Sequence, residues 1–398
     1  CQRPKAALRM RPTPKPAAGT AVNPVRKRMS TGQAHIPESI KTAAAGSRPG
    51  GAASKAGELS GEEILASLKG KICDFITDVD GAKSSATAVC LRARTDPELG
   101  KKPSFDEKDR QAEGSTVSEI NAALAASGVG IACRKGMKPE SPNQDSFGVV
   151  LVDGGFKVFA VLDGHGPKGH DVSSFSVENL LKLFMRHKAR DTDTAAAFSS
   201  AFLDTQTMLE ALTKTGAIAA SDSGSTATFC YMPAGEGVAH IAHVGDSRAV
   251  VCRGTPGSGK GVVTEVTEDH KPDLPKEKER IEKAGGVVVF DGYFNHRVYS
   301  QDGRGGLNMS RALGDNAVHR FGVTSVPEIR REPIGTDKDL FLLLCSDGVW
   351  EFMKSQDVCD IALRHGRANA QKACEEIAKT SYDLWMEDSE GEVSDDIT

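Results

Sequence analysis

An α+β fold built on antiparallel sheets is predicted by the order of two kinds of segment. Short apolar runs at 148–152, 158–162, 226–232, 239–243, 249–253, 262–266 and 340–345 read as strands. Longer amphipathic stretches at about 171–187 and 195–214 lie together between the second and third runs, and further helices fit 275–284, 355–365 and 369–385. Strands in hairpins with helices in separate blocks argue against an alternating βαβ winding.

Taken in order, residues 1–58 are rich in Pro, Ala, Gly, Ser, Lys and Arg and are expected to be a disordered tail. Residues 1–55 carry 11 Lys/Arg against one acid, Glu38, a net of +10, while the remainder carries 39 basic and 53 acidic residues, a net of −14. The basic head suits a solvated tail, an organelle-targeting segment or a docking patch around Val25–Arg28, with Ser30 behind it as a kinase acceptor. Residues 59–127 are expected to be a helical segment and linker. Ser60 and Glu63 have capping-box spacing, and Ile64, Leu65, Leu68, Ile72 and Phe75 share one helical face over 59–80. The sequence Asp78-Val79-Asp80-Gly81 looks like a calcium loop, but the closing position holds Thr87, so that site is rejected. One more helix fits 117–126. Residues 128–398 form the main domain.

No apolar run approaches the ~20 residues of a membrane helix. The chain's 9 cysteines show no CxxC pairing, and Cys230, Cys252 and Cys345 lie in strand-like runs. Reduced, buried, intracellular thiols are therefore expected, in a cytoplasmic or nuclear monomer. The chain starts with Cys, so a fragment or processed form is expected.

Four aspartates end or closely follow apolar runs: Asp163, Asp246, Asp347 and Asp395. Asp145 precedes one. Carboxylates converging at strand mouths repel one another by roughly 4 kcal/mol per close pair at an intermediate dielectric. Such a cluster calls for cations, and an oxygen-only donor set selects hard ones, Mg²⁺ or Mn²⁺.

Four competing motifs fail. The run Gly164-His165-Gly166-Pro167-Lys168-Gly169 matches GxGxxG, but Asp163 would repel a pyrophosphate and Pro167 removes an amide donor. Residues 254–261 nearly match a P-loop, but Gly261 stands where a Mg²⁺-binding hydroxyl is needed and the stretch joins two strand-like runs. None of the cysteines has the arginine six residues on that a cysteine-nucleophile phosphatase needs, and GxSxG has no true match.

Eight segments remain: PNQDSFG (142–148), FAVLDGHG (159–166), SGSTATF (223–229), AHVGDSRAV (242–250), LNMSRALGD (307–315), SVPEI (325–329), CSDGVWEF (345–352) and SDDIT (394–398). Their order, types and spacing resemble the metal-dependent serine/threonine protein phosphatases of the type 2C (PPM) family over about residues 128–398. The resemblance implies a β-sandwich of two antiparallel sheets with helices on both outer faces. It also implies two ions that hold and activate a water, which hydrolyses phosphoserine and phosphothreonine in phosphoprotein substrates without a phospho-enzyme. No nucleic acid is required.

By the same resemblance Asp163 bridges both ions, Asp347 and Asp395 hold the first, the Gly164 carbonyl helps hold the second, and Asp145 acts through water. His165 is the implied general acid for the basic seryl or threonyl leaving group. Asp246, with Asp347 and Glu351, matches a weaker third ion position. The structural alternative for Asp246 is a turn residue pairing with Arg248. The phosphate clamp falls to Arg134, Lys135 or Lys138, with Arg134 favoured for its two-pronged grip. Gln144 stands where many members carry Glu, and Glu351 where many carry Asp. Residues 267–298 and 308–322 resemble the flap beside the cleft, with Arg311 and Asp315 expected to pair structurally. Met309, Met353 and Trp350 are expected to pack in or near the core. The strand of Asp395 normally runs on as an apolar stretch, so its end at Thr398 is expected to loosen Asp395, and a longer chain to be more stable. The alternative reading is a pseudophosphatase acting as a regulatory binding module, which predicts loss of a metal aspartate.

Overall fold

The computed structural model describes residues 59–76, 88–93, 104–113, 115–137, 142–300, 303, 305–335 and 337–398. The basic tail, the calcium-like loop at 78–87 and Lys138 lie outside the described residues.

The strands are β1 (Ala88–Ala93), β2 (Arg110–Glu113), β3 (Ser146–Val152), β4 (Phe156–Leu162), β5 (Gly164–His165), β6 (Gly224–Ser225), β7 (Ala227–Pro233), β8 (Val238–Val244), β9 (Arg248–Gly254), β10 (Gly261–Glu265), β11 (Val287–Phe290), β12 (His296–Tyr299), β13 (Gly305–Leu307), β14 (Leu313–Gly314), β15 (Glu328–Pro333) and β16 (Asp339–Cys345). The helices are α1 (Gly61–Ala66), α2 (Val117–Ser127), α3 (Gly169–Arg186), α4 (Thr194–Thr215), α5 (Pro275–Lys283), α6 (Asn316–His319), α7 (Asp347–Trp350), α8 (Ser355–His365) and α9 (Ala370–Asp388).

A seven-stranded sheet, ordered β15-β8-β7-β4-β3-β1-β2, faces a three-stranded sheet, β10-β9-β16. Every pairing in both is antiparallel. Alternation along the strands builds three layers of core. In β4, Phe156, Val158, Ala160 and Leu162 face α3 and α4, whereas Phe159 turns into the space between the sheets. In β9, Ala249 and Val251 face that space, while Val250 packs under α8 and α9 with Ile361, Ile377 and Trp385. The molecule is thus the expected sandwich with helices outside both sheets. An apolar cavity of about 320 Å³ lies against β3, β4, β16 and α9, and none of the candidate carboxylates lines it.

Two expectations change. The helical segment and linker expected over 59–127 also holds strands: β1 pairs with β3, and β2 pairs with β1, extending the large sheet. Arg92 breaks the apolar pattern of β1, and its charge is met 3.0 Å away by Glu178 of α3, a partner the linear sequence does not reveal. The helix expected over 59–80 stops at Ala66 and resumes as a 3₁₀ turn at Ile72–Phe75. Gly70 interrupts it at φ 118°, yet Ile64, Leu68 and Ile72 are all buried as their spacing requires. The capping box of Ser60 and Glu63 is present.

The cysteine expectation is corrected in one place. Cys252 of β9 and Cys359 of α8 are joined by a disulfide. Cys252 shares the parity of Val250, so its side chain meets the helix lying over the sheet. Partners 107 residues apart leave no spacing signature. Cys73, Cys90, Cys133, Cys230, Cys345 and Cys374 are free.

Candidate metal centre

The carboxylates gather because strand ends do. Ser146 opens β3 opposite Leu162, the last residue of β4, so Asp145 and Asp163 emerge together. Asp246 lies in the turn from β8 to β9. Cys345, the last residue of β16, pairs with Arg248 at the start of β9, which brings Asp347 beside Asp246. Asp395 arrives on the segment 394–398, where Arg134 and Ile397 exchange backbone hydrogen bonds of 2.7 and 2.9 Å, and Ser346 N donates to Thr398 O at 3.0 Å. These hydrogen bonds hold the segment of Asp395 on both sides.

Asp145, Asp163, Asp246 and Asp395 are all buried. Burial, then the charges of Asp347, Asp145 and Asp395, push Asp163 well above the usual carboxylate range. Burial, then Asp246 and Asp395, do the same to Asp347. Burial and Asp396 push Asp145 up to about 7. Among the described residues, no three His, Cys, Asp or Glu side chains are already closed around one point as ligands. The donor set nevertheless fits a hard cation. Asp145 Oδ1, Asp246 Oδ1 and Asp347 Oδ1 are buried without a hydrogen-bond partner, a costly state that a divalent ion relieves.

Gly164 is buried where a side chain would overlap the carbonyls of Gly169 and Gln144. Its N–H donates to Gln144 O at 3.2 Å. The neutral Gln144 donates from Nε2 to Gly166 O at 2.7 Å, which a glutamate could not do. Ser346 Oγ donates to Asp145 Oδ2 at 2.7 Å, and Asp163 N donates to Thr226 Oγ1 at 2.9 Å.

His165 Nε2 donates to Asp315 Oδ2 at 2.6 Å, and both side chains are buried. Asp315 therefore meets the candidate general acid and Arg311 pairs elsewhere, with Glu277 at 2.6 Å. Asp315 holds a left-handed backbone at φ 47°, an uncommon conformation for a non-glycine residue and one that clusters at functional sites. Gly224 passes so close that a side chain there would overlap both His165 Nε2 and Asp315 Oδ2.

The Arg248 alternative for Asp246 is corrected. Arg248 pairs with Asp269 and Glu265, each at 2.9 Å. The partner of Asp246 is Lys271, with Nζ 2.5 Å from Oδ2. Glu351 is exposed, one helical turn beyond Asp347. Arg134 meets partners outside the aspartate cluster: its guanidinium lies 3.9 Å from Glu107 and 5.4 Å from the Phe105 ring centre. Lys135 is buried. Met309, Met353 and Trp350 are buried as expected. Sequence reasoning named Asp315 but missed its contact with His165, and it missed Asp396. Asp396 accepts from Gly136 N at 2.7 Å and Gln144 N at 2.8 Å, tying together the loops on either side of Lys138.

An antiparallel sandwich with acidic residues at one end of its sheets defines a class of α+β proteins with a metal-suited mouth. The protein phosphatase 2C family model matches residues 142–389. A rice protein, "Probable protein phosphatase 2C 64", is 38% identical over 234 residues, covering 56% of this chain and 54% of that protein. Rice "Probable protein phosphatase 2C member 13, mitochondrial" is 36% identical over 223 residues, 55% of each chain. A serine-threonine phosphatase 2C from Toxoplasma gondii superposes with a TM-score of 0.57 at 20% identity, covering 67% of this chain and 92% of that one. The chain belongs to the protein phosphatase 2C family. It spans about half the length of these rice relatives. Asp395 and Arg134 lie outside the matched stretch.

Proposed function

We propose that the chain is a Mg²⁺- or Mn²⁺-dependent phosphatase of phosphoserine and phosphothreonine in proteins. The observation that carries this reading is the set of buried carboxylate oxygens on Asp145, Asp246 and Asp347 that lack partners, next to the His165–Asp315 pair. Asp163, Asp347 and Asp395 would hold one ion, and Asp163 with the Gly164 carbonyl the other, with Asp145 acting through water. Bound ions of this kind neutralise a phosphate monoester and lower the pKa of a water that attacks phosphorus. His165 would give its proton to the leaving seryl or threonyl oxygen, with Asp315 fixing the ring. A third ion at Asp246 and Glu351 would have to displace the Lys271 ammonium. Arg134 would have to leave Glu107 to grip phosphate, and Lys138 is the other candidate clamp.

The test is hydrolysis of a phosphothreonine peptide by the full chain with added Mn²⁺, with EDTA, and by Asp163→Asn. The expected result is turnover abolished by EDTA and reduced roughly a thousand-fold in the variant, the loss of several kcal/mol of charge stabilisation. No EDTA-sensitive activity would leave the pseudophosphatase reading standing.

A further inference from the structure

The family match begins at residue 142, yet a side chain from well before it reaches the candidate centre from behind. Lys108 is only 7% exposed. Its Nζ donates to Asn143 O at 3.0 Å, to Asp145 O, and to Ser146 Oγ at 3.4 Å. The three acceptors bracket Asp145 on both sides.

The segment carrying Lys108 is itself fixed. Phe105 N donates to Lys135 O at 2.7 Å, Lys108 N to Cys133 O at 2.9 Å, and Lys135 N to Asp106 O at 2.9 Å. Residues 131–137 in turn pair with the strand of Asp395 through Arg134 and Ile397, and through Met137 N to Ser394 O at 2.9 Å. A ladder therefore runs from 104–110 through 131–137 to 394–398. Lys108 closes it into a ring by reaching across to Asp145. Asp396, next to Asp395, ties the same ring by accepting from Gly136 and Gln144.

A buried ammonium is costly, several kcal/mol before compensation. An apolar side chain would fill the space more cheaply if packing were the only task. Losing the amine would strand two buried backbone carbonyls, at about 1–3 kcal/mol each, on the turn that aims Asp145. Asp145 Oδ1 is one of the orphaned oxygens of the mouth.

We propose that Lys108 is a positioning residue for the metal centre. It holds the turn 143–146 so that Asp145 stays directed into the acidic mouth, and thereby raises the affinity for a divalent cation. This inference rests on the proposed metal centre. A purely electrostatic role has the opposite sign, because an ammonium repels an incoming cation.

The experiment is Mn²⁺ titration by calorimetry of the full chain, wild type, Lys108→Met and Lys108→Gln, with thermal melts in EDTA and in Mn²⁺. The expected result is binding about 10-fold or more weaker in both variants, the scale on which groups orienting a ligand act, with a smaller Mn²⁺-induced rise in Tm. Rescue toward wild-type affinity in Lys108→Arg would agree. Folded variants that bind Mn²⁺ as tightly as wild type, or more tightly, overturn the proposal. So does failure of both variants to fold, because the amine would then hold the fold and not the site. If the wild type binds no Mn²⁺, and Asp163→Asn behaves identically, the metal reading itself has failed and Lys108 falls with it.

Discussion

Glu277 and Asp163 are both buried carboxylates, and their neighbours differ in sign. Glu277 of α5 is met by Arg311 at 2.6 Å, Arg280 at 2.7 Å and the Ser310 hydroxyl at 2.5 Å. Although burial opposes its charge, hydrogen bonds from Arg311 and Arg280 hold its carboxyl well below the usual range. Asp163 is met by Asp347, Asp145 and Asp395, and its carboxyl is driven the other way. The knot around Glu277 is complete as it stands, so it is structure. The mouth around Asp163 lacks such partners, and it is there that we propose cations and so a site. Burial alone would not have separated the two; the sign of the surrounding charge does.

Substitution should split the pair. Asp163→Asn removes one of several like charges, so the metal-free protein is expected to melt no lower than wild type while Mn²⁺ no longer stabilises it. Glu277→Gln strands two guanidinium groups and should cost about 2–4 kcal/mol, while retaining Mn²⁺ binding. Melts of both variants with and without Mn²⁺ check this. A metal-free Asp163→Asn protein that melts far below wild type would erase the distinction.

The His165–Asp315 pair sharpens the comparison from the catalytic side. His165→Asn should lower turnover of a phosphothreonine peptide by about 10²–10⁴, the usual worth of a positioned general acid. The loss should shrink markedly with an aryl phosphate, whose leaving group needs no proton. Mn²⁺ affinity should stay near wild type, because no ligand is removed. Equal losses on both substrates would remove His165 from the acid role.

Much of the mouth was legible because each acid is announced by its own strand. An apolar run followed by Asp can be read locally, as for Asp163 after β4 or Asp347 after β16. The supporting residues carry no such local sign. Asp315 meets His165 from 150 residues away, and the left-handed backbone that aims it is invisible in LGD. Asp396 reads as a repeat of Asp395, although one faces the mouth and the other ties two loops. Lys108 sits in a polar stretch that looks like linker. The strands β1 and β2 were hidden for a related reason: Arg92 looks wrong for a strand until Glu178 is seen opposite it. All seven apolar runs read as strands are strands in the structure, since an apolar run is a property of the local sequence itself.

The smallest expected effect is in pH, and there the two regions have opposite signs. Asp145 titrates in the folded, metal-free protein at about 7, against an ordinary 3.8, through burial and then Asp396. Across that interval the folded state keeps a proton that the unfolded chain has released. This contribution to metal-free stability is therefore present at low pH and is lost as pH rises from about 4 to 7. Mn²⁺ needs the same carboxylate unprotonated, so its affinity should climb through that window, with Asp163 and Asp347, also pushed up, adding to the climb. The rise in Tm on adding Mn²⁺ should thus be larger at pH 8 than at pH 5. Glu277, held low, contributes stability above its ordinary pKa and loses it only as pH falls toward the acid range, so it is constant from pH 5 to 8. Glu277→Gln should accordingly keep the wild-type slope of Mn²⁺ stabilisation against pH, whereas Asp145→Asn should lessen it. Melts at half-unit steps from pH 5 to 8 decide the matter, and a slope that survives in Asp145→Asn but disappears in Glu277→Gln would reverse the assignment of site and scaffold.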